Sequence, residues 1–359
     1  MDQLKAARKK INEVDAQMAK LFVERMQAVK EVIDYKKEHN LEILDTSREQ
    51  EVIRNNLSLI EDEDLKDYYE SYLKELMMLS KQYQHTLMDD IVVGYQGVKG
   101  AFSHIAATSL FHNNKCIAMQ SFDEVFQKVD QGECTYGVIP FENSYTGEIG
   151  EVLDLLLKYN VHINRMYDLK IEQNLLGTFD SKLEDIKQVY SKDQAIYQSK
   201  QFLNGRGFEL IAYPNTALAA KFVSEQKDKH KAAIASIETA KLYGLKVLAQ
   251  HINTSNENTT RFIVISKEKI TSGTRFNLLF TLHHDVGTLA KIMEIIANKG
   301  FNMESIKSRS LQNKPWEYYF YVELIGDALN ANSIELLECL KDNCEMVKLL
   351  GSYTKEGND

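Results

Sequence analysis

Gly137-Val138-Ile139-Pro140-Phe141-Glu142-Asn143-Ser144-Tyr145-Thr146-Gly147 is the stretch that decides the fold. It reads as a buried apolar strand that stops at Pro140, which has no N–H to give to a ladder. Glu142, Asn143 and Ser144 follow, and Gly147 turns the chain into an amphipathic helix from Ile149 to Leu157. A strand whose C-terminal end sheds polar side chains beside a helix start is where open α/β sheets bind ligands. The free N–H groups and positive dipole of such a start suit an anion.

The flanking sequence repeats the pattern. Ile91–Tyr95, Cys116–Met119, Val189–Ser191, Leu210–Tyr213 and Ala232–Ala235 read as strands. Each leads to a polar residue that can cap or open a helix: Ser103, Ser121, Gln194, Thr216 and Ser236. Each of these is, taken alone, ordinary helix-capping chemistry. Strand, polar residue, helix, repeated, predicts two α/β subdomains around a cleft between about Ile91 and Lys267. The extended stretches Ile163–Gly177 and Thr260–Ile265 are expected to form its hinge. Asn258-Thr259-Thr260-Arg261-Phe262 opens the last apolar strand.

No proline or glycine occurs before Gly94, so the first segment is free to be all helix. Leu4, Ala7, Ile11, Val14, Met18, Leu21, Arg25, Ala28, Val32 and Tyr35 form one stripe. Arg25 on that stripe calls for an anion, because a buried unpaired charge costs roughly several kcal/mol. Lys36 returns to the same face about three turns later, and Arg8 flanks it. Solvent or the chain's own carboxylates would satisfy such a line equally well. Thr46-Ser47-Arg48-Glu49 fits a capping box with Thr46 as N-cap. A third helix carries Ser80 and Gln84 on its apolar stripe; a serine can bond its own backbone, but a buried amide wants partners.

After about Thr274 the order strand, helix, strand, strand, helix, strand predicts an α+β, ferredoxin-like (βαββαβ) domain. The chain's 359 residues suit two or three domains. A net charge of −9 disfavours nucleic acid as a partner but not a small anion. The four cysteines lack C-x-x-C spacing, so zinc is not expected and reduced thiols are. No apolar run approaches the ~20 residues of a membrane span, and no signal-peptide pattern opens the chain. The expectation is a cytoplasmic protein with no cofactor or metal, no nucleic acid and no membrane partner.

The central motifs resemble prephenate dehydratase, which carries a G-V-x-P-x-E-N-S-x-x-G segment and a T-R-F triplet. Those read here as Gly137 to Gly147 and Thr260-Arg261-Phe262. The resemblance implies a two-lobed architecture like type II periplasmic binding proteins. It also implies substrate contacts among Ser103, Glu142, Asn143, Ser144, Gln194, Thr216, Ser236, Thr260, Arg261 and Phe262. The reaction expels carboxylate and hydroxyl from prephenate together, so its chief need is a proton donor or strong hydrogen bond at the departing hydroxyl. The resemblance puts Thr260 there; first principles also allow Glu142. Arg261 either binds a carboxylate or orients Glu142 or the strand end. Where the family has S-H-P-Q, this chain has Ser191-Lys192-Asp193-Gln194, keeping the glutamine without the histidine.

The helical segment resembles the all-helical chorismate mutases. Their early arginine, mid-helix E-R, later lysine, D-x-x-R-E and S-x-x-x-Q read here as Arg8, Glu24-Arg25, Lys36, Asp45 to Glu49, and Ser80 to Gln84. Chorismate rearranges to prephenate without a nucleophile; the enzyme holds the compact conformer and favours charge at the ether oxygen. The resemblance implies that Arg8, Arg25 and Arg48 hold carboxylates, with Asp45 nearby. Lys36 and Gln84 would then meet the ether oxygen, and Glu49 and Ser80 the hydroxyl. The early arginine comes from a second subunit in that family, which implies a homodimer or higher homo-oligomer.

The C-terminal domain resembles ACT regulatory domains, whose G-A-L and E-S-R-P motifs bind phenylalanine. Here they read as Gly287-Thr288-Leu289 and Lys307-Ser308-Arg309-Ser310. Lys307 stands in place of glutamate, so the resemblance implies a charge of the wrong sign near the effector: of little consequence at an exposed position, opposed to the effector's ammonium if beside it. The expected domains are 1–89, 90–268 and 274–353. The expected function is conversion of chorismate to prephenate and then phenylpyruvate, with phenylalanine as effector. The rival is a mutase fused to a catalytically inactive module that senses prephenate or an amino acid.

Overall fold

The computed structural model describes residues 2–39, 46–87, 91–112, 114–255, 257–270, 272–283, 285–311 and 316–354. It divides into two compact units, Met1–Ile91 and Val92–Asp359.

The first unit is three helices: α1 (Asp2–Glu38), α2 (Thr46–Leu57) and α3 (Glu63–Leu87). With no glycine or proline to interrupt it, α1 runs 37 residues, about 55 Å at the α-helical rise. α3 packs against both other helices. Ile33, Leu73 and Met77 are buried, together with Ser80. The N-terminal half of α1 lacks such cover: Leu4, Ile11, Val14, Met18 and Leu21 stay exposed, Leu21 at 62%. α2 starts at Thr46 itself. Asp45, with its expected role, lies outside the described residues, as does the side chain of Thr46 with its expected capping bond.

The second unit begins with β1 (Val92–Gln96), α4 (Phe102–Leu110), β2 (Lys115–Met119), α5 (Phe122–Asp130), β3 (Tyr136–Asn143), β4 (Gly147–Glu148), α6 (Gly150–Lys158) and β5 (His162–Lys170). The chain then crosses into a second lobe. That lobe holds β6 (Asn174–Gly177), β7 (Gln188–Ser191), α7 (Asp193–Gln198), α8 (Lys200–Leu203), β8 (Glu209–Ala212), α9 (Thr216–Gln226), β9 (Lys231–Ala235), α10 (Ile237–Tyr243) and β10 (Lys246–Ala249). It returns through β11 (Thr259–Ser266). The first sheet is ordered β2-β1-β3-β11-β5, with β4 on β3; the second is β10-β6-β9-β7-β8. In each, a parallel trio reverses its order at a central strand, β1 or β7. Such switch points open a crevice at the strands' C-terminal ends. Asn143, Gly97, Ser191 and Ser236 stand there.

Four expectations need correction. Pro140 does not end β3: pairing with β11 continues to Asn143 and slips by one residue, Phe262 facing Pro140 while Arg261 faces Glu142. A bulge is how a ladder absorbs a residue without N–H. Gly147 opens β4, which folds back on β3, and the helix starts at Gly150. β5 and β11 are not hinges but paired members of the first sheet. The crossings are the short stretches 171–173 and 250–258, tied together by Asn253, which accepts from Gln173 N at 2.6 Å and donates to Ile171 O at 3.0 Å. Ser103 caps nothing: α4 is preceded by Ala101 without a side-chain cap, and Ser103 is buried in its first turn. Ser121 does cap α5, accepting from Glu124 N at 3.2 Å.

The C-terminal domain is β12 (Arg275–Thr281), α11 (Thr288–Asn298), β13 (Asn302–Ser310), β14 (Tyr318–Ile325), α12 (Ala331–Asn343) and β15 (Met346–Tyr353). This is the expected βαββαβ order, folded as an antiparallel sheet β13-β14-β12-β15. One face of the sheet is covered by α11 and α12 around Phe276, Leu278, Ile292, Ile296 and Leu336. The other face presses on the first lobe. Leu279, Tyr319, Tyr321, Leu350 and Tyr353 share one core with Ile139, Phe141, Leu153 and Ile163. Approach is so close at Gly351 that an added Cβ would lie 2.1 Å from Ile163 O.

Candidate active sites

In the helical unit, α1 and α3 bring together three of the expected residues. Arg25 Nη1 donates to Ser80 Oγ, and the Ser80 hydroxyl in turn lies 2.6 Å from the Leu76 carbonyl that accepts its proton. Ser80 is 4% exposed. Burial lowers the Arg25 pKa. Among the described residues no carboxylate pairs with it. One turn beyond Ser80, the Gln84 carbonyl oxygen is buried without a hydrogen-bond partner among the described residues. A desolvated guanidinium on Ser80, with an orphaned amide oxygen one turn further along the same helix, leaves room for an anionic, hydrogen-bonding ligand. Lys36 is half-buried and lines an open depression with Ala28, Glu31, Val32 and Tyr35. Glu49 is half-buried, and Arg48 is exposed and pairs with Glu51 at 2.8 Å. Arg8 lies exposed about 25 Å along α1 from Arg25. It is too far to join Arg25 within one copy.

In the second unit, β3 and β11 set Asn143 opposite Thr260. Asn143 Nδ2 lies 2.9 Å from Thr260 Oγ1, 3.0 Å from Asn258 Oδ1 and 3.2 Å from Thr259 O. Its Oδ1 accepts from Tyr145 N and Thr146 N at 3.0 and 3.2 Å, an Asx turn that fixes the end of the strand. Because Thr260 Oγ1 accepts from Asn143, its own proton is free to be donated. Ser144 clasps the neighbouring segment: its Oγ donates to Glu257 O and accepts from Thr259 N, at 3.1 and 3.0 Å.

The network reaches the other lobe through residues the sequence reading missed. Asn258, 1% exposed, donates to Gln198 Oε1 at 2.9 Å. Gln198 Nε2, Ser199 Oγ and Gln173 Oε1 are buried without partners among the described residues. Gln198 sits one turn after Gln194 on the same face of α7; Gln194 itself is half-buried. The helical spacing was the available signal. Thr216 and Ser236 are buried at helix starts; Asn215 does the capping beside Thr216, and Ser236 accepts from Thr239 N at 3.2 Å. Across the crevice, Thr239 Oγ1 donates to Gly100 O at 2.7 Å, so the lobes touch at its rim.

Alternate residues of a strand face opposite ways, and the expected site residues divide accordingly. Arg261 is clasped by Asp168 on β5, Nε–Oδ1 at 2.8 Å and Nη2–Oδ2 at 3.1 Å. That hydrogen bonding raises its pKa far above the usual arginine value. Arg261 therefore braces the sheet. Phe262 is 1% exposed and belongs to the interior. Glu142 turns toward β13, where Lys307 Nζ lies 2.9 Å from its Oε1.

That contact overturns the expectation for Lys307, which lies on the opposite face of the C-terminal sheet from the expected effector site. Arg309 departs likewise, gripping Asp154 of α6 at 3.0 and 2.7 Å. Gly287, Thr288 and Leu289 do line a cavity of about 380 Å³ with Asp285, Glu317, Tyr318 and Phe320. Gly287, at φ 84°, opens α11 there, its backbone freedom permitting the turn. Ser308 is exposed and pairs across the sheet with Phe320 of that lining.

Residues 7–85 match the family model for chorismate mutase type II, and residues 93–270 that for prephenate dehydratase. The bifunctional chorismate mutase/prephenate dehydratase of Aquifex aeolicus (strain VF5) is 32% identical over 371 residues, covering 99% of each chain. The prephenate dehydratase structure from Staphylococcus aureus Mu50 is 28% identical, with TM-score 0.64 over 73% of this chain and 99% of that one. GqqA, described as a quorum-quenching acylase, is 26% identical with TM-score 0.69 over 74% and 98% of the two chains.

An isomerase fused to a carbon–oxygen lyase is the class that the two units define. The chain belongs to the bifunctional chorismate mutase/prephenate dehydratase family. It is an enzyme of phenylalanine biosynthesis, rearranging chorismate to prephenate and converting prephenate to phenylpyruvate.

Proposed function

We propose that the mutase reaction takes place around Arg25, Ser80 and Gln84. The observation behind this reading is the desolvated Arg25 guanidinium on Ser80, with the orphaned Gln84 carbonyl oxygen one turn further along α3. Arg25 and Arg48 hold the carboxylates of chorismate, Lys36 and Gln84 meet the ether oxygen, and Glu49 and Ser80 meet the hydroxyl. Arg8 completes the site from a second copy. The exposed stripe Leu4, Ile11, Val14, Met18 and Leu21 supports an intertwined homodimer, since apolar rows of that length seek cover.

For the dehydratase, the observation that carries the reading is the 2.9 Å contact from Asn143 to Thr260. Asn143 holds Thr260 Oγ1 so that its proton points to the departing hydroxyl of prephenate. The C–CO2 bond breaks as CO2 leaves. Its electron pair forms the ring double bond, and the hydroxyl departs with a proton as water. Thr260 supplies the hydrogen bond at the leaving oxygen; the net proton comes from solvent. Glu142, paired with Lys307, is the weaker candidate for that role. Gln198 and Asn258 complete the polar wall, and Ser103, Ser144, Gln194, Thr216 and Ser236 rim the crevice.

The C-terminal domain reads as an ACT domain over 274–353, beside mutase and dehydratase domains over 1–89 and 90–268. Phenylalanine fits the 380 Å³ cavity at Gly287, carboxylate toward the start of α11 and ammonium toward Asp285. Purified protein given chorismate, with prephenate and phenylpyruvate followed separately with and without phenylalanine, tests all three assignments. Prephenate without phenylpyruvate would remove the dehydratase reading. Product formation indifferent to phenylalanine would remove the effector.

A further inference from the structure

We propose that Lys307, supplied by the C-terminal domain, is a positioning residue of the dehydratase centre; this rests on the reading of Asn143 and Thr260 given above. β3 and β4 form a hairpin in which Glu142 stands opposite Glu148, and Asn143 opposite Gly147. Two carboxylates directly across a ladder repel. Lys307 Nζ lies near both, 2.9 Å from Glu142 and 3.9 Å from Glu148. Its side chain is only 9% exposed, with the ammonium 5.3 Å from the centre of the Phe141 ring. It stands against β14, where its register partner is the buried Tyr321. So enclosed, it has little solvent to turn to, and its charge is directed at the hairpin.

The next hairpin position belongs to Asn143. Its carbonyl oxygen fixes the 144–146 turn and its amide fixes Thr260. Without Lys307 the Glu142–Glu148 pair pushes β4 from β3, and the turn that orients Asn143 loosens. Thr260 then keeps its hydroxyl but loses its aim. Small misplacements of a hydrogen-bonding group in an active site cost rate out of proportion to their size.

The test uses the full chain and supplied prephenate. Lys307→Met is expected to lower dehydratase kcat on the order of tenfold with KM little changed, while Lys307→Arg stays within about threefold of the parent. Adding Glu148→Gln to Lys307→Met removes the repulsion and is expected to restore most of the lost kcat. A merely structural role would not give that recovery. Lys348→Met removes another half-buried lysine from the same interdomain surface, one that donates to Leu156 O and Tyr159 O at 2.7 and 2.5 Å. It is expected to lower Tm while sparing kcat. Where Lys307→Met does not fold, Lys307→Gln is read in the same way. Parental kcat in the Lys307 variant, or a loss that Glu148→Gln leaves untouched, overturns the inference. Thr260→Ala separates the two levels. If it is slow while Lys307→Met is fast, only this inference falls; if Thr260→Ala is itself at the parental rate, the reading of the centre falls first.

Discussion

Thr260 and Arg261 are neighbours on β11 and serve opposite faces of it. Thr260 meets Asn143 on the crevice side at 2.9 Å, while Arg261 is held by Asp168 at 2.8 Å. In the proposed reading one motif carries chemistry and bracing in adjacent residues, because a strand's period of two sends them apart. The consequence is that their variants should fail differently.

Thr260→Ala is expected to lower dehydratase kcat by about 10²-fold or more, the usual scale for a proton-donating group, with prephenate accumulating from chorismate. Thr260→Ser should retain most of the rate. Steady-state kinetics on prephenate decide it: an alanine variant as fast as the parent removes the hydroxyl role. Arg261→Met, by contrast, should appear first as a lower Tm, of order 1–2 kcal/mol for a partly exposed bidentate pair.

Arg25→Ala should cost the mutase about 2–5 kcal/mol of transition-state binding and leave turnover of supplied prephenate intact. Chorismate consumption by the folded variant is the measurement. An unchanged rate would mean that the Arg25–Ser80 contact is internal bracing only.

Asp285→Asn should weaken phenylalanine binding roughly tenfold, the effect of losing a carboxylate worth about 1–2 kcal/mol beside an ammonium. Lys307→Glu should not tighten it, since Lys307 lies on the other face of β13. Calorimetry on both proteins reads the two expectations together. Tighter binding in Lys307→Glu would place the effector on the dehydratase side of the sheet.

Glu323 supplies a pH dependence. Its carboxyl is 3% exposed and burial raises its pKa, against the opposing hydrogen bond from Tyr353 and the charge of Arg261. A raised folded-state pKa means full stability below the unfolded value near 4.5 and loss as pH rises through the folded value. Stability contributed by this carboxyl therefore falls as pH rises out of the acid range. Glu323→Gln, which keeps an acceptor for Tyr353, should raise Tm near neutrality, the advantage shrinking toward pH 4. Thermal melts across that range check the sign; a neutral-pH Tm below the parent's would reverse it.

The element order was largely legible. Periodicity and capping chemistry placed the three early helices, the strands around Gly137 and Thr260, and the C-terminal βαββαβ order within a residue or a few. What local pattern cannot encode is which way a strand end points after a bulge. Pro140 looked like a stop because its missing N–H is a local fact; that the sheet answers with a one-residue slip depends on β11, more than a hundred residues later. The same non-locality hid Lys307. By sequence it belonged to an effector motif, and only the register of β13 turns it toward Glu142. Gln198 and Asn258 were missed because neither stands at a helix start, where polar residues announce themselves. Asn143 and Thr260 stood out in the sequence as polar residues at a strand end and a strand start, and the β3–β11 register sets them opposite each other.

Gly351 passes against the Ile163 carbonyl with no room for a methyl group, and the strands it joins share their interior with α6 and β3. A boundary that looks like a linker in the sequence is thus a seam inside one body of protein. Truncation before β12 would strip the lid from the apolar floor of the catalytic lobe and leave it sticky in water. The C-terminal sheet and the first lobe bury one common interior, so each depends on the other to keep its apolar face out of water.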